Sequence, residues 1–328
     1  MPSSSRGRVV AAFLAVYIVW GSTYLAIKFA VETLPPFLMA GVRFVTAGAI
    51  LYFWSQRQRA DRGTRAAAEW GWAALVGALL VLGGNGAVVW AADRVPSGVI
   101  ALLIAATPIW MVLLDWLRPG GRRPTRAVLA GLLLGSAGLA LLVNARGAGT
   151  SGRIDPLGAV AVLFGSLSWA VGSLVSRSQR LPRSPILSTG MQMLTGGAFM
   201  AVAGLLLGET RGFALADVSA RSALAWLYLM TVGSLVGYTA YIWLLGHVSA
   251  AKAATYAYVN PVVAVLLGWA FADEPVTAGV LLAAAVIVSA VALITVGQSR
   301  PTAAVADAGP ECHAADLPDA DGRATART

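Results

Sequence analysis

Residues 36–49 read PFLMAGVRFVTAGA, and residues 185–198 read PILSTGMQMLTGGA. Pro36, Leu38, Gly41, Thr46, Gly48 and Ala49 recur as Pro185, Leu187, Gly190, Thr195, Gly197 and Ala198 at one constant offset. Trp20 meets Trp169 at that same offset. A few inserted residues later, Trp90 corresponds to Trp243, Thr107-Pro108 to Asn260-Pro261, and Pro124 to Pro275. The chain therefore reads as a tandem duplication, with the quoted stretch as one helix written twice.

The solvent for these helices follows from composition. Hydrophobic residues make up 58% of the chain and charged residues 12%, whereas soluble domains carry about 25% charged residues. A chain this apolar belongs in a bilayer. Crossing a core of roughly 30 Å takes about 20 apolar residues as a helix, and the sequence offers ten such runs. They lie near 9–28, 36–54, 70–92, 97–117, 126–143, 156–176, 186–208, 223–245, 250–271 and 276–297. Only helices or closed barrels satisfy the backbone in lipid. Alternating barrel strands are absent, so the expected class is all-α, with ten membrane helices. The first run is too long for a cleaved signal segment.

The net charge of +9 is an orientation signal rather than a sign of nucleic-acid binding. Arginines cluster at 6–8, 57–65, 118–126 and 177–183, between alternate runs. Positive loops stay inside, which places both termini in the cytoplasm. Expected boundaries are a cytoplasmic N-terminus (1–8), repeats at 9–145 and 155–298, and a disordered cytoplasmic tail (299–328). Cys312 is the sole cysteine, and His247 and His313 are the sole histidines. Neither a disulfide framework nor a metal-ligand spacing exists, and no cofactor is expected.

Five spans per copy make the second copy enter the membrane from the opposite side. Such inverted repeats recur in secondary transporters, whose substrate site lies near the midplane at the repeat interface. Two conformations of one unit, exchanged between the copies, open the pair first to one side and then to the other.

Several blocks carry a resemblance. VYIVWGSTYLAIKFAVETLPPFLMAGVRF (16–44), VPSG (95–98), SWAVGS (168–173) and TYAYVNPVVAVLLG (255–268) resemble EamA-domain proteins of the drug/metabolite transporter superfamily. The resemblance spans about residues 9–298. It implies two five-helix EamA repeats and efflux of small organic solutes across the inner membrane. It also implies a cavity among the first, third, fourth, sixth, eighth and ninth helices, with the fifth and tenth outside. The chain departs from the pattern at Ala91-Ala92, where relatives often carry an acid.

The residues that could hold a solute are polar or aromatic groups at membrane depth. Arg43 sits in mid-span, where a charge costs roughly 2.5–3.5 kcal/mol on insertion scales. It must face a wet cavity or a partner such as Glu32. Its repeat mate is Gln192. Pro108 and Pro261 interrupt the backbone ladder beside Thr107 and Asn260. Trp20, with Tyr17 and Tyr24, forms one helical face, and Tyr256 shares a face with Asn260. Asn85, Trp169, Tyr238 and Tyr258 complete the candidates, with Trp90, Trp110 and Trp243 as further inner aromatics. Aromatic walls hold apolar or cationic solutes without strict geometry. The expected partners are a small-molecule substrate and membrane lipid. The stripe GLLLG (131–135) suits close helix packing, within the chain or across a homodimer.

Other functions find little support. Without a phosphate loop or an ATPase domain, ATP cannot drive transport on this chain. An enzyme lacks a histidine or carboxylate pair at membrane depth. A channel or receptor remains the alternative to a transporter.

Overall fold

The computed structural model describes residues 3–58, 67–91, 103–119, 123–145, 155–177, 184–272 and 277–297, plus a few single positions between them. The tail, with Cys312-His313, lies outside the described residues. Every regular element among those described is helical. In chain order they are α1 (Ser3–Ala30), α2 (Pro36–Arg57), α3 (Ala67–Ala91), α4 (Ala106–Leu117), α5 (Arg126–Ala145), α6 (Pro156–Ser176), α7 (Pro185–Leu206), α8 (Ala220–His247), α9 (Tyr256–Ala272, after a single turn at Ala250–Ala253) and α10 (Ala278–Gly297). Six of these, α2, α3, α6, α7, α8 and α10, are long and apolar enough to cross a bilayer. Large apolar side chains such as Phe53, Leu133, Val160, Leu206 and Leu282 point outward, as a lipid-facing surface requires.

Helix starts follow local rules. Pro36, Pro156 and Pro185 each stand in a first turn, where the missing N–H is not needed. Ser184, Ser219 and Ser249 cap α7, α8 and the turn before α9. The start of α2 is capped from a distance. The Glu209 carboxylate accepts from the Phe37 and Leu38 backbone N–H groups at 3.0 and 2.8 Å. A negative charge there also complements the helix dipole.

The duplicated helices α2 and α7 pack against each other. A methyl group on Gly48 would stand 2.6 Å from the Leu194 nitrogen, and one on Gly197 2.7 Å from the Val45 nitrogen. Leu194 and Val45 are themselves matched residues of the two copies. Gly41 meets Ala201 while Gly190 meets Tyr52, so the two helices run antiparallel. Small residues let the backbones touch, which is how helices associate tightly where both water and a hydrophobic driving force are missing.

The outer pair is α5 and α10. Gly131 lies against Ile294 and Ala290, and Gly135 against the Tyr258 ring. The GLLLG stripe is thus used within the chain, and this pair forms its own core with α4 and α9.

Candidate functional site

Seven helices leave a cavity between them. Its walls are Trp20, Thr23 and Ile27 of α1; Arg43 and Phe44 of α2; and Gly84, Asn85 and Val88 of α3. Ile104 and Thr107 at α4, Gly165, Ser166 and Trp169 of α6, Gly233 and Tyr238 of α8, and Tyr256 and Asn260 of α9 complete it. The space open to the centre of a water molecule is about 100 Å³. Helices α5, α7 and α10 contribute nothing to the wall. The contribution of α2 goes beyond the six helices that the family resemblance implied.

Two wall segments share an unusual backbone. Ala78–Asn85 in α3 and Leu229–Tyr238 in α8 are π-helical. Asn85 and Tyr238 stand at the same offset as Trp90 and Trp243, so both copies depart from α-helix at the same place. Such i→i+5 stretches are rare and gather at functional sites. Each ends on a cavity residue. The only trace in the sequence is a scatter of glycines, Gly83-Gly84 and Gly233…Gly237.

At the centre, the two matched tryptophans meet. Trp20 and Trp169 lie edge to face with ring centroids 5.5 Å apart. A methyl on Gly237 would stand 2.6 Å from the Trp20 indole nitrogen, and one on Gly84 2.7 Å from the Trp169 ring. Each copy's tryptophan therefore lies on the matched glycine of the other copy.

Below the tryptophans, side chains tie the helices together. Tyr17 Oη and Thr255 Oγ1 are 2.6 Å apart. Trp169 Nε1 donates to Tyr241 Oη at 3.0 Å, and Ser173 Oγ lies 2.6 Å from the same oxygen. Trp20, Tyr241 and Tyr256 meet edge to face or tilted, with centroids 5.0–5.4 Å apart. At this end Asp115 and Arg118 form an ion pair at 2.8 Å. Just beyond α6, burial lowers the Arg177 pKa from the ordinary guanidinium value, while Asp115 raises it. The opposite end is tied by Arg221, whose guanidinium lies over Phe29 and 3.7 Å from Glu32.

Arg43 is the one charged residue in the wall among the described residues. It is 6% exposed, and its Nε donates to Ser234 Oγ at 2.9 Å. Its guanidinium carbon stands 4.3 Å from the Phe44 ring centroid. Glu32, the alternative partner for Arg43, pairs instead with Arg221. Tyr238 Oη and Asn260 Oδ1 are buried without a hydrogen-bond partner among the described residues.

Eight residues expected from sequence are thus brought together: Trp20, Arg43, Asn85, Thr107, Trp169, Tyr238, Tyr256 and Asn260. Four others stand outside the wall. Gln192 is fully buried and donates to Ser188 at 2.8 Å and Ser176 at 3.4 Å. Tyr258 points the other way, its hydroxyl donating to the Leu132 carbonyl at 3.3 Å. Pro261 lies inside α9 behind Asn260. Pro108 follows a break in the fourth run, where Leu103 and Ile104 are helical and Ala105 is a turn. It falls in the first turn of α4, which restarts at Ala106. The side chains of Tyr24 and Lys28 lie outside the described residues. Trp90 and Trp243, expected inside, stack with Arg94 and His247 at helix ends. Thr23, Phe44 and Ser166 were missed. Phe44 adjoins Arg43, and Ser166 is the repeat mate of Tyr17, so the duplication itself pointed to the last.

Known proteins match this chain along most of its length. The EamA-like transporter family matches twice, at residues 7–144 and 156–296. The uncharacterized inner membrane transporter YedA of Escherichia coli K12 is 39% identical over 289 residues, covering 88% of this chain and 90% of YedA. Uncharacterized transporter YvbV of Bacillus subtilis is 26% identical over 303 residues, covering 92% and 95%. A probable amino-acid metabolite efflux pump of Salmonella typhimurium is 26% identical over 291 residues, covering 84% and 91%. A protein crystal structure, 24% identical, matches the fold with a TM-score of 0.70 over 89% of this chain and 98% of that one. Matched in both halves, and with membrane-length helices around a central cavity, the chain is a membrane transporter and belongs to the EamA-like transporter family.

Proposed function

We propose that this chain is a secondary exporter of small organic solutes that works by alternating access. Its ten spans form two inverted five-helix repeats, 9–145 and 155–298, with both termini in the cytoplasm. The central cavity, with the eight residues it draws from the sequence candidates, holds the solute. The observation that carries this reading is the mirrored pair of contacts, Trp20 on Gly237 and Trp169 on Gly84. The antiparallel α2–α7 packing supports the same symmetry. Yet the two ends are tied differently, one by Tyr17–Thr255 and the Trp169–Tyr241–Ser173 cluster and the other by Arg221 with Glu32 and Phe29. Two matched units held in unlike arrangements exchange roles at small energetic cost, because each arrangement is available to either copy. The YvbV and efflux-pump relatives, named as transporters, favour transport over catalysis.

The test is counterflow in proteoliposomes without ATP. Labelled solute accumulates against its own gradient when unlabelled solute is loaded on the far side. Conductance without counterflow supports the channel reading instead, and turnover of solute in detergent supports an enzyme.

A further inference from the structure

We propose that the cavity takes a solute with a carboxylate on an aromatic or apolar body, and that Arg43 is its charge partner. This rests on reading the cavity as the solute site. Arg43 lies in mid-helix, almost wholly enclosed, with a single hydrogen bond to Ser234. A guanidinium carries five N–H donors, and the others find no protein acceptor among the described residues. Three acids among the described residues are committed elsewhere. Glu32 pairs with Arg221, Asp115 with Arg118, and Glu209 caps α2. Among the described residues no aspartate or glutamate lines the cavity. A buried cation without a counter-charge is costly, and a bound anion removes that cost.

The rest of the wall fits the same chemistry. Tyr238 follows Ser234 by one turn of α8, and its hydroxyl is a buried donor without an acceptor. A carboxylate seated at Arg43 supplies one. Trp20, Phe44, Trp169, Tyr238 and Tyr256 then surround the body of the solute with ring faces and edges. Aromatic walls by themselves would also welcome a cation. Here the fixed positive charge of Arg43 and the missing carboxylates oppose one.

The probes are phenylacetate, phenylacetamide and phenethylamine, which share a ring and differ in charge, with inorganic phosphate as an anion lacking a ring. Binding to the purified full-length chain in non-ionic detergent is read by fluorescence, since Trp20 and Trp169 line the cavity. The expected order is phenylacetate at least about tenfold tighter than phenylacetamide, with phenethylamine weakest and phosphate silent. The acid-over-amide preference disappears in Arg43→Gln and survives in part in Arg43→Lys. If Arg43→Gln fails to fold, the wild-type order and Arg43→Lys decide the matter. Equal binding of acid and amide, tighter binding of the amine, a phosphate response equal to that of phenylacetate, no binding of phenylacetate, or an unchanged preference in Arg43→Gln overturns the proposal. Counterflow separates it from the transport reading. Phenylacetate binding in the expected order without counterflow of any probe defeats transport alone. Counterflow of phenethylamine without phenylacetate leaves transport intact and defeats the carboxylate.

Discussion

Arg43 and Gln192 occupy one position in the two copies of a duplicated helix, and the fold uses them differently. Arg43 enters the cavity with a single hydrogen bond, whereas Gln192 is sealed between Ser188 and Ser176. The backbones around them are nearly interchangeable. Gly48 meets Leu194 as Gly197 meets Val45. Duplication has thus kept the packing that holds the copies together and released the side chains that face a solute. Helix–helix contact in lipid tolerates little change at small residues, while a cavity wall has room for it.

The largest effect expected separates these two positions. Arg43→Gln, which makes the copies alike, lowers counterflow by about 10- to 100-fold at unchanged membrane abundance. Hydrogen bonds to a charged group are worth about 1.5–3 kcal/mol. Gln192→Leu lowers counterflow by less than about threefold. Equal losses would erase the contrast. The second test asks whether the symmetry at the tryptophans is real. Gly84→Ala and Gly237→Ala each force an indole aside, at about 1–3 kcal/mol of overpacking. Both should lower the melting temperature in detergent to a similar degree, and a large effect from only one breaks the equivalence.

The third concerns the end that Tyr17 ties. Tyr17→Phe removes the hydroxyl contact with Thr255, worth about 0.5–1.5 kcal/mol. The population open toward that end then rises roughly two- to tenfold. Maleimide labelling of Ser166→Cys in a Cys312→Ser background, from the cytoplasmic side, reads the change, and an unaltered rate removes Tyr17 from the gate. The smallest effect belongs to Arg221→Gln at the opposite end. Its ion pair with Glu32 is exposed, and such pairs contribute about 0–1 kcal/mol. Counterflow should change by less than about twofold.

How far the site was readable varies residue by residue. Tyr256 and Asn260, four apart on a helix, were paired by periodicity and do share the cavity face. Tyr258 is two residues from each, about 200° around the helix, and so faces α5. That exclusion was available from the sequence. Gln192 was not so easily excluded. Repeat mates share depth along a helix, but the side chain's surroundings depend on which neighbour fills the adjoining groove. For Gln192 that neighbour is Ser176 at the end of α6. Phe44 and Thr23 carry no polar or periodic signal that separates them from ordinary core residues.

Composition and duplication determined that this chain lives in a bilayer, is helical and is built from two copies of one unit. Those are properties of apolar length and of repetition, and both are written in one dimension. The tertiary structure decided that two π-helical stretches bring Asn85 and Tyr238 to a common cavity, that Trp20 and Trp169 touch, and that Arg43 meets no acid among the described residues. Each depends on which helices become neighbours. Backbone hydrogen bonding inside a single span cannot specify that, and only the packing of small residues between spans resolves it.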